Sequence, residues 1–359
     1  MENEIYWSER LANETQNSSD ELLKVMKNLY KDSMKNIKKE IESFYGRYAE
    51  NNNLTLQEVH KRLNPSELKS AKEEIKKYYD KVNELTRDNN GKVSVEKLRK
   101  YKEELRLQSA KAYMSRLEEV KLNIKNDIVN LAIQEEIEFT DKLKNVYENS
   151  LSQSSYNIDK ILGFSEGFSA PNEDALNKSI KTKWLGENYS DRIWKNKGNL
   201  IDSLDTILLQ GIAQGKNPRK IADEMSIKYG ANYKNCERLV RTEFIHAQNE
   251  ATFQSYKNHN IQEYQYVADL SERTCLVCGS LDGQHFPLKY KQVGVNYPVM
   301  HPNCRCTTVP YFEKDEIDLM FEESTRIAYD ENRNIYEVPS SMNYEEWKEK
   351  ILNNFIKIT

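Results

Sequence analysis

No stretch of this sequence approaches the about 18 consecutive apolar residues that a membrane-spanning helix requires, which argues against a helical membrane protein. Glycine and proline are scarce, 12 and 8 in 359 residues, and their scarcity excludes collagen-like and turn-rich all-β chains. The stretch from Met1 to Thr15 has no basic segment leading into an apolar one, so no secretion signal is read there and a soluble chain is expected. Positive charge is not in excess either: 53 basic against 57 acidic side chains leave a net charge of -4. No global field draws nucleic acid, and any DNA contact needs a local patch. Cysteine is rare but uneven, with Cys236 alone and Cys275, Cys278, Cys304 and Cys306 crowded together. An odd, clustered set in an unsecreted chain points away from a disulfide framework and toward thiolate ligands for a metal.

What is present is charge and helix-forming residues: 31% charged and 38% hydrophobic, the profile of long, polar-faced helices. The length allows two domains. The reading is a mainly α protein, with a long N-terminal helical domain over residues 1–150, a linker over 151–172 where Ser, Asn, Gly and Phe gather before Ala170-Pro171, and a C-terminal α+β domain over 173–330 that carries a Cys/His zinc knuckle and a small β-hairpin. A tail helix is expected over 331–359. In the N-terminal part, Thr55 with Glu58 and Asn64-Pro65-Ser66-Glu67 read as helix starts. Asp88-Asn89-Asn90-Gly91 reads as a turn, with Ser94 capping the next helix. Tyr113, Leu117, Val120, Ile124, Ile128 and Leu131 recur at helical spacing and are read as core in preference to a docking stripe. Farther on, Gly215, Asn217 and Pro218 separate two helices, and Ile261 to Ala268 alternates as a strand does.

Two patches carry chemistry. In the first, Lys181, Lys183, Arg192, Lys195 and Lys197 are interleaved with Trp184 and Trp194, a pattern in which cations meet phosphates and rings stack on bases. The competing reading, core tryptophans among solvated lysines, is preferred because lysine is ordinarily exposed.

The second is the cysteine cluster. Cys275-Leu-Val-Cys278 lets one tight turn present two sulfurs to one ion. His301-Pro302-Asn303-Cys304-Arg305-Cys306 follows after a loop of about 22 residues, within the range of zinc ribbons and knuckles. Five donors compete for four tetrahedral places, and the expected set is Cys275, Cys278, His301 and Cys304, with Cys306 as the substitute for Cys304. No carboxylate stands where a general base would, so a closed structural zinc site is expected and no catalytic residue is assigned. Between the halves, Leu281-Asp282-Gly283-Gln284-His285-Phe286 reads as a hairpin with a type I′ turn. A nuclease or hydrolase using Asp282, His285 or the metal is the least favoured alternative.

The residues Asp269, Arg273, Thr274-Cys275-x-x-Cys278, Leu281-Asp282-Gly283, Pro298 and His301-Pro302-x-Cys304-Arg305-Cys306 resemble the signature of the phage Mu protein F-like minor head proteins, also called phage head morphogenesis proteins. The helix bearing Arg241-Thr242-Glu243, Ala247, Asn249, Ala251 and Tyr256 is similar to that family's Arg-Thr-Glu helix. The ending Val338-Pro339 through Met342, Tyr344-Glu-Glu-Trp347 resembles that of several members. The resemblance implies a minor capsid protein of a tailed bacteriophage that acts in head assembly and in the delivery of the genome, assembled in the host cytoplasm and residing in the virion at the head interior or portal vertex. The absent general base adds the expectation that it is not an enzyme, and a DNA-binding protein of the virion interior is the alternative. The portal protein is the implied partner, with scaffold, major capsid protein and double-stranded DNA as further candidates and no membrane. With about 50 residues after Cys306, fewer than a usual domain, an appended toxin or transferase domain is not expected.

Overall fold

The structure, a computed structural model, describes residues 4–51, 116–163, 171, 173–214, 216–312, 324–330, 332 and 334–355. The expected helix starts at Thr55 and Asn64, the turn at Asp88-Gly91, the cap Ser94 and the stripe residue Tyr113 lie outside the described residues.

Where breakers are few, the helices are long: α1 (Glu4–Asn51) and α2 (Arg116–Leu162), followed by α3 (Glu173–Ile180), α4 (Tyr189–Ala213) and α5 (Pro218–Asn258). The break between α4 and α5 falls where expected. The side-chain oxygen of Asn217 accepts the Arg219 N–H at 2.9 Å, and Pro218 occupies the first helical position, where its missing N–H costs nothing. The C-terminal part then alternates β1 (Glu263–Val267), α6 (Leu276–Leu281), β2 (His285–Pro287), a 3-10 turn (Leu288–Tyr290), β3 (Thr307–Tyr311), β4 (Thr325–Tyr329), β5 (Ile335–Pro339) and α7 (Tyr344–Phe355). The expected strand at Ile261 to Ala268 is β1, and the tail contains a strand, β5, before its helix.

The strands form an antiparallel sheet in the order β2-β1-β3 and a separate β4-β5 pair. Tyr266 lies opposite Thr308 of β3, and Tyr264 opposite Phe286 of β2. The Asp282-Gly283 pair does turn the chain, but not as a type I′ hairpin. Asp282 has φ -57° and ψ 128°, Gly283 has φ +79°, and the Gln284 N–H reaches the Leu281 carbonyl at 3.0 Å, which is a type II turn. The segment before it is α6 and not a strand, because the Cys275 sulfur caps the helix by accepting the Cys278 N–H.

The chain divides into two compact units, each gathered from separate stretches: residues 1–23, 139–189 and 237–359 in one, and 24–138 with 190–236 in the other. This departs from the expected boundary at 151–172. The polar run there is helical as far as Leu162, because its hydroxyls face inward: Ser154 bonds Thr252 and Ser155 bonds Ser255, both at 3.0 Å. Serine marks a close helix contact there, where composition alone suggested a linker.

In the first unit, Arg326 of β4 is buried between two carboxylates, Glu9 of α1 and Asp282, each at 3.0 Å. It also donates to the carbonyls of Met342 and Ala268. Asp282 in turn accepts the N–H groups of Ala268 and Tyr344, both at 2.8 Å. Every oxygen of this carboxylate is engaged in holding β1, α7 and β4 together, which removes Asp282 from the candidate hydrolytic residues. A methyl group on Gly279 of α6 would come within 2.3 Å of the Tyr344 ring, so glycine is what lets α7 lie directly on the α6 backbone.

The second unit is a helical core in which Met26, Ile37 and Ile41 of α1, Val120, Ile124, Ile128 and Leu131 of α2, and Leu204 and Leu208 of α4 are buried. The described part of the α2 stripe is therefore core, as its periodicity suggested.

Candidate metal centre

The cysteine half-sites come together around α6. Two sets of potential ligand atoms lie within 4.8 Å of one another: Cys275, Cys278 and His301 in one, Cys278, Cys304 and Cys306 in the other. Cys278 belongs to both. The sulfur of Cys278 is 3.5 Å from Nε2 of His301, while Nδ1 of His301 lies 3.0 Å from the Pro302 carbonyl. A carbonyl can only accept, so Nδ1 carries the proton and a neutral His301 offers the Nε2 lone pair to an ion.

The fold presents these residues through backbone geometry. Cys275 and Cys278 lie at the entrance of α6, and the Cys304 N–H closes a turn onto the His301 carbonyl at 3.1 Å, with Asn303 in the left-handed region at φ +61°. Helix α5 anchors that turn: Thr242 Oγ1 accepts the Asn303 N–H at 3.1 Å, and Asn249 donates to the Cys306 carbonyl at 3.2 Å. Thr242 and Asn249 are seven residues apart, two turns along one face. The sequence flagged both within the Arg-Thr-Glu helix but not their task; the spacing 242, 246, 249 was the available signal. The flanking charges have separate partners, as two residues apart on a helix must: Arg241 pairs with Asp20 at 2.6 Å, and Glu243 accepts the Trp184 indole N–H at 3.0 Å.

The electrostatics are those of a site short of positive charge. Cys304 accepts from the thiols of Cys278 and Cys306, which holds it well below the ordinary thiol range. Cys278, bonded to Cys304, and Cys306, bonded to Cys278 and Cys304, are correspondingly pushed up. At Cys275 burial opposes ionisation but is outweighed by the Cys278 N–H and His301, so this thiol is lowered. Buried sulfurs this close cannot all ionise among themselves, because like charges in a poorly solvated site repel. A divalent cation removes that restriction, and its binding releases the displaced protons. Four sulfurs, one imidazole nitrogen and no carboxylate make up the two sets, a soft donor set that fits Zn²⁺ and not Mg²⁺ or Ca²⁺. Such an ion, held by Cys275 or Cys278 together with His301, Cys304 or Cys306, would tie α6 to the His301-Cys306 segment.

The tryptophan-lysine patch is resolved differently. Trp194 is buried against Val129 and Ala132, and its indole N–H bonds Glu136 at 2.9 Å. Lys197 is 1% exposed and ion-paired with Glu135, also 1% exposed, alongside Tyr30 and Asn232. Neither Trp194 nor Lys197 can meet DNA, because contact would strip a packed core of its partners. Trp184 is half-buried and stacks on His246 with ring centroids 4.3 Å apart. Lys183 and Lys195 are exposed, and Lys181 and Arg192 are intermediate. Replacing Lys197 with alanine is expected to lower stability by about 3–5 kcal/mol, since Glu135 would remain buried without its cation. A surface lysine would change it by about 0.5 kcal/mol or less, so denaturant unfolding separates the two readings.

His285 is exposed, with Nδ1 2.6 Å from Glu263 and its ring stacked on Tyr311 at 4.0 Å. It is a cross-strand surface contact, as an exposed strand position suggests. No helix among the described residues is long and apolar enough to cross a membrane.

Residues 202–309 match the family described as phage Mu protein F like protein. The chain is also similar to the NAD(+)--arginine ADP-ribosyltransferase EFV of Enterococcus faecalis (strain ATCC 700802 / V583), 22% identical over an alignment of 191 residues that covers 49% of this chain and 37% of that protein. The chain thus spans little more than a third of that relative's length. No solved structure matches it.

Proposed function

We propose, from the premise that residues 202–309 make this a phage Mu protein F-like chain, that it is a minor head protein acting in capsid assembly at the portal vertex of a tailed bacteriophage, with a structural zinc ion. The matched segment carries this reading, because it contains both half-sites of the Cys/His cluster and the α5 face that anchors the second half. The metal's role in this reading is mechanical: the two sets offer thiols and one imidazole and, among the described residues, no carboxylate to serve as a base. The transferase activity named for the Enterococcus relative belongs to a protein of which this chain matches 37%, and no transferase role is assigned to it. DNA binding through the tryptophan-lysine patch is not favoured, since Trp194 and Lys197 are internal.

Co-expression of the full chain with the portal protein and shell proteins from the same gene cluster tests the assembly role. The expected result is co-purification with the portal protein and incorporation into heads at low copy number. A chain that purifies apart from both, and whose deletion leaves head assembly intact, would overturn it.

A further inference from the structure

Tyr266 of β1 is fully buried, and both its backbone polar groups are tied to the adjacent turn: its N–H reaches the Gln284 carbonyl at 2.8 Å and its carbonyl accepts the Gly283 N–H at 2.9 Å. The ring therefore has no route to solvent. Among the described residues its hydroxyl has no hydrogen-bond partner of ordinary geometry. A buried phenolic O–H left in that state is costly, and such groups in folded proteins normally have a reason. The ring belongs to the cluster formed by Ile245, Ala268, Val299, Cys278, Cys304 and Cys306. The ring thus packs among the sulfurs of Cys278, Cys304 and Cys306, and of the three it is Cys278 that stands in hydrogen-bonding relation to the hydroxyl. Tyr264, two residues earlier on the same strand and equally buried, is unlike it: its hydroxyl points to the Asn296 carbonyl at 3.4 Å.

We propose that Tyr266 is a positioning residue of the metal centre, its hydroxyl donating to the Cys278 sulfur when that sulfur is a metal-bound thiolate. This rests on the zinc reading above. A thiol is a weak acceptor, whereas a thiolate carries full negative charge and attracts an O–H strongly. Three or four thiolates around one divalent cation leave the site net negative inside an apolar cluster, so each fixed donor to sulfur stabilises it. The Cys278 N–H directed at Cys275 is a second such donor. Cys278, shared by the two ligand sets, is where a fixed donor acts on both at once.

The test uses the reduced full chain, loaded with Co²⁺ as the spectroscopic probe and with Zn²⁺ for affinity, comparing wild type, Tyr266→Phe and Tyr264→Phe. Removing the hydroxyl alone keeps the ring packing, and far-UV circular dichroism verifies that each variant is folded. For Tyr266→Phe the sulfur-to-cobalt charge-transfer band is expected to move to lower energy. Zinc held against a competing chelator is expected to weaken by about 10- to 100-fold, the range for lost outer-shell partners. Tyr264→Phe is expected to match wild type in both readouts. A folded Tyr266→Phe with wild-type band and affinity would overturn this inference while leaving the zinc reading intact. Wild type that takes up neither metal would overturn the zinc reading and this inference with it.

Discussion

Cys278→Ser is expected to abolish stoichiometric zinc binding, from about one ion per chain to none, and to be the most disruptive single change at the cluster. The sulfur it removes is common to both ligand sets, so His301 and Cys275 lose their link to Cys304 and Cys306. Serine is a poor zinc ligand, and the remaining sulfurs stay buried next to one another. Chelation of the wild-type chain is expected to give the same state without a mutation. Structural zinc sites contribute about 10–16 kcal/mol of binding free energy in small zinc-finger peptides, but here the first unit also has apolar clusters of its own. The expected loss is therefore several kcal/mol and local, centred on α6 and the His301-Cys306 segment. Elemental analysis together with thermal unfolding, with and without chelator, checks this. Unchanged metal content in Cys278→Ser would contradict it. Because bound metal replaces protons on sulfur, zinc affinity is also expected to fall as pH is lowered.

The second large effect lies in the clasp formed by Glu9, Arg326 and Asp282. One guanidinium faces two buried carboxylates, one negative charge too many for a desolvated site. Burial pushes Glu9 up from 4.5 to about 7, against the opposing pull of Arg326 and the Ile327 N–H. A carboxyl whose folded-state pKa is raised holds a proton that the unfolded chain has already released. Its stabilising contribution is thus fully present below about pH 4.5 and is lost as pH rises through about 7. Relative to Glu9→Gln, the wild type is expected to lose about 3 kcal/mol between pH 4.5 and 8, since each tenfold difference in proton affinity between the folded and unfolded chain is worth about 1.4 kcal/mol. Denaturant unfolding of the two proteins at a series of pH values measures the difference directly. A difference that stays constant across that interval would show that Glu9 titrates as an exposed glutamate does.

The clasp also marks where sequence reading reached its limit. Asp282 was legible as a turn residue and as part of a motif, yet its partners are Arg326, Ala268 and Tyr344, and nothing local in the sequence links them. Glu9 was unremarkable in an acidic N-terminal stretch. Its burial depends on α1 packing with β4, 317 residues away. The Ser-rich run ending α2 misled for a related reason: hydroxyls that pair across two close helices have the same composition as a linker. Trp194 is core, as the preferred reading had it, whereas Lys197 misled because a lysine beside an aromatic residue reads as solvated until a buried glutamate claims the cation.

The sequence alone determined the helical class of the chain, the break at Asn217-Pro218, the strand leading to the cysteines and the five Cys and His residues of the candidate metal centre. Periodicity, capping chemistry and ligand spacing act over a few residues and can be read from a few residues. Tertiary structure alone decided that residues 1–23 complete the unit holding the cluster. It also decided that Cys278 belongs to both candidate ligand sets and that Tyr266 packs in one cluster with Cys278, Cys304 and Cys306. Those facts depend on which distant side chains exclude water from one another, and burial of that kind has no local pattern.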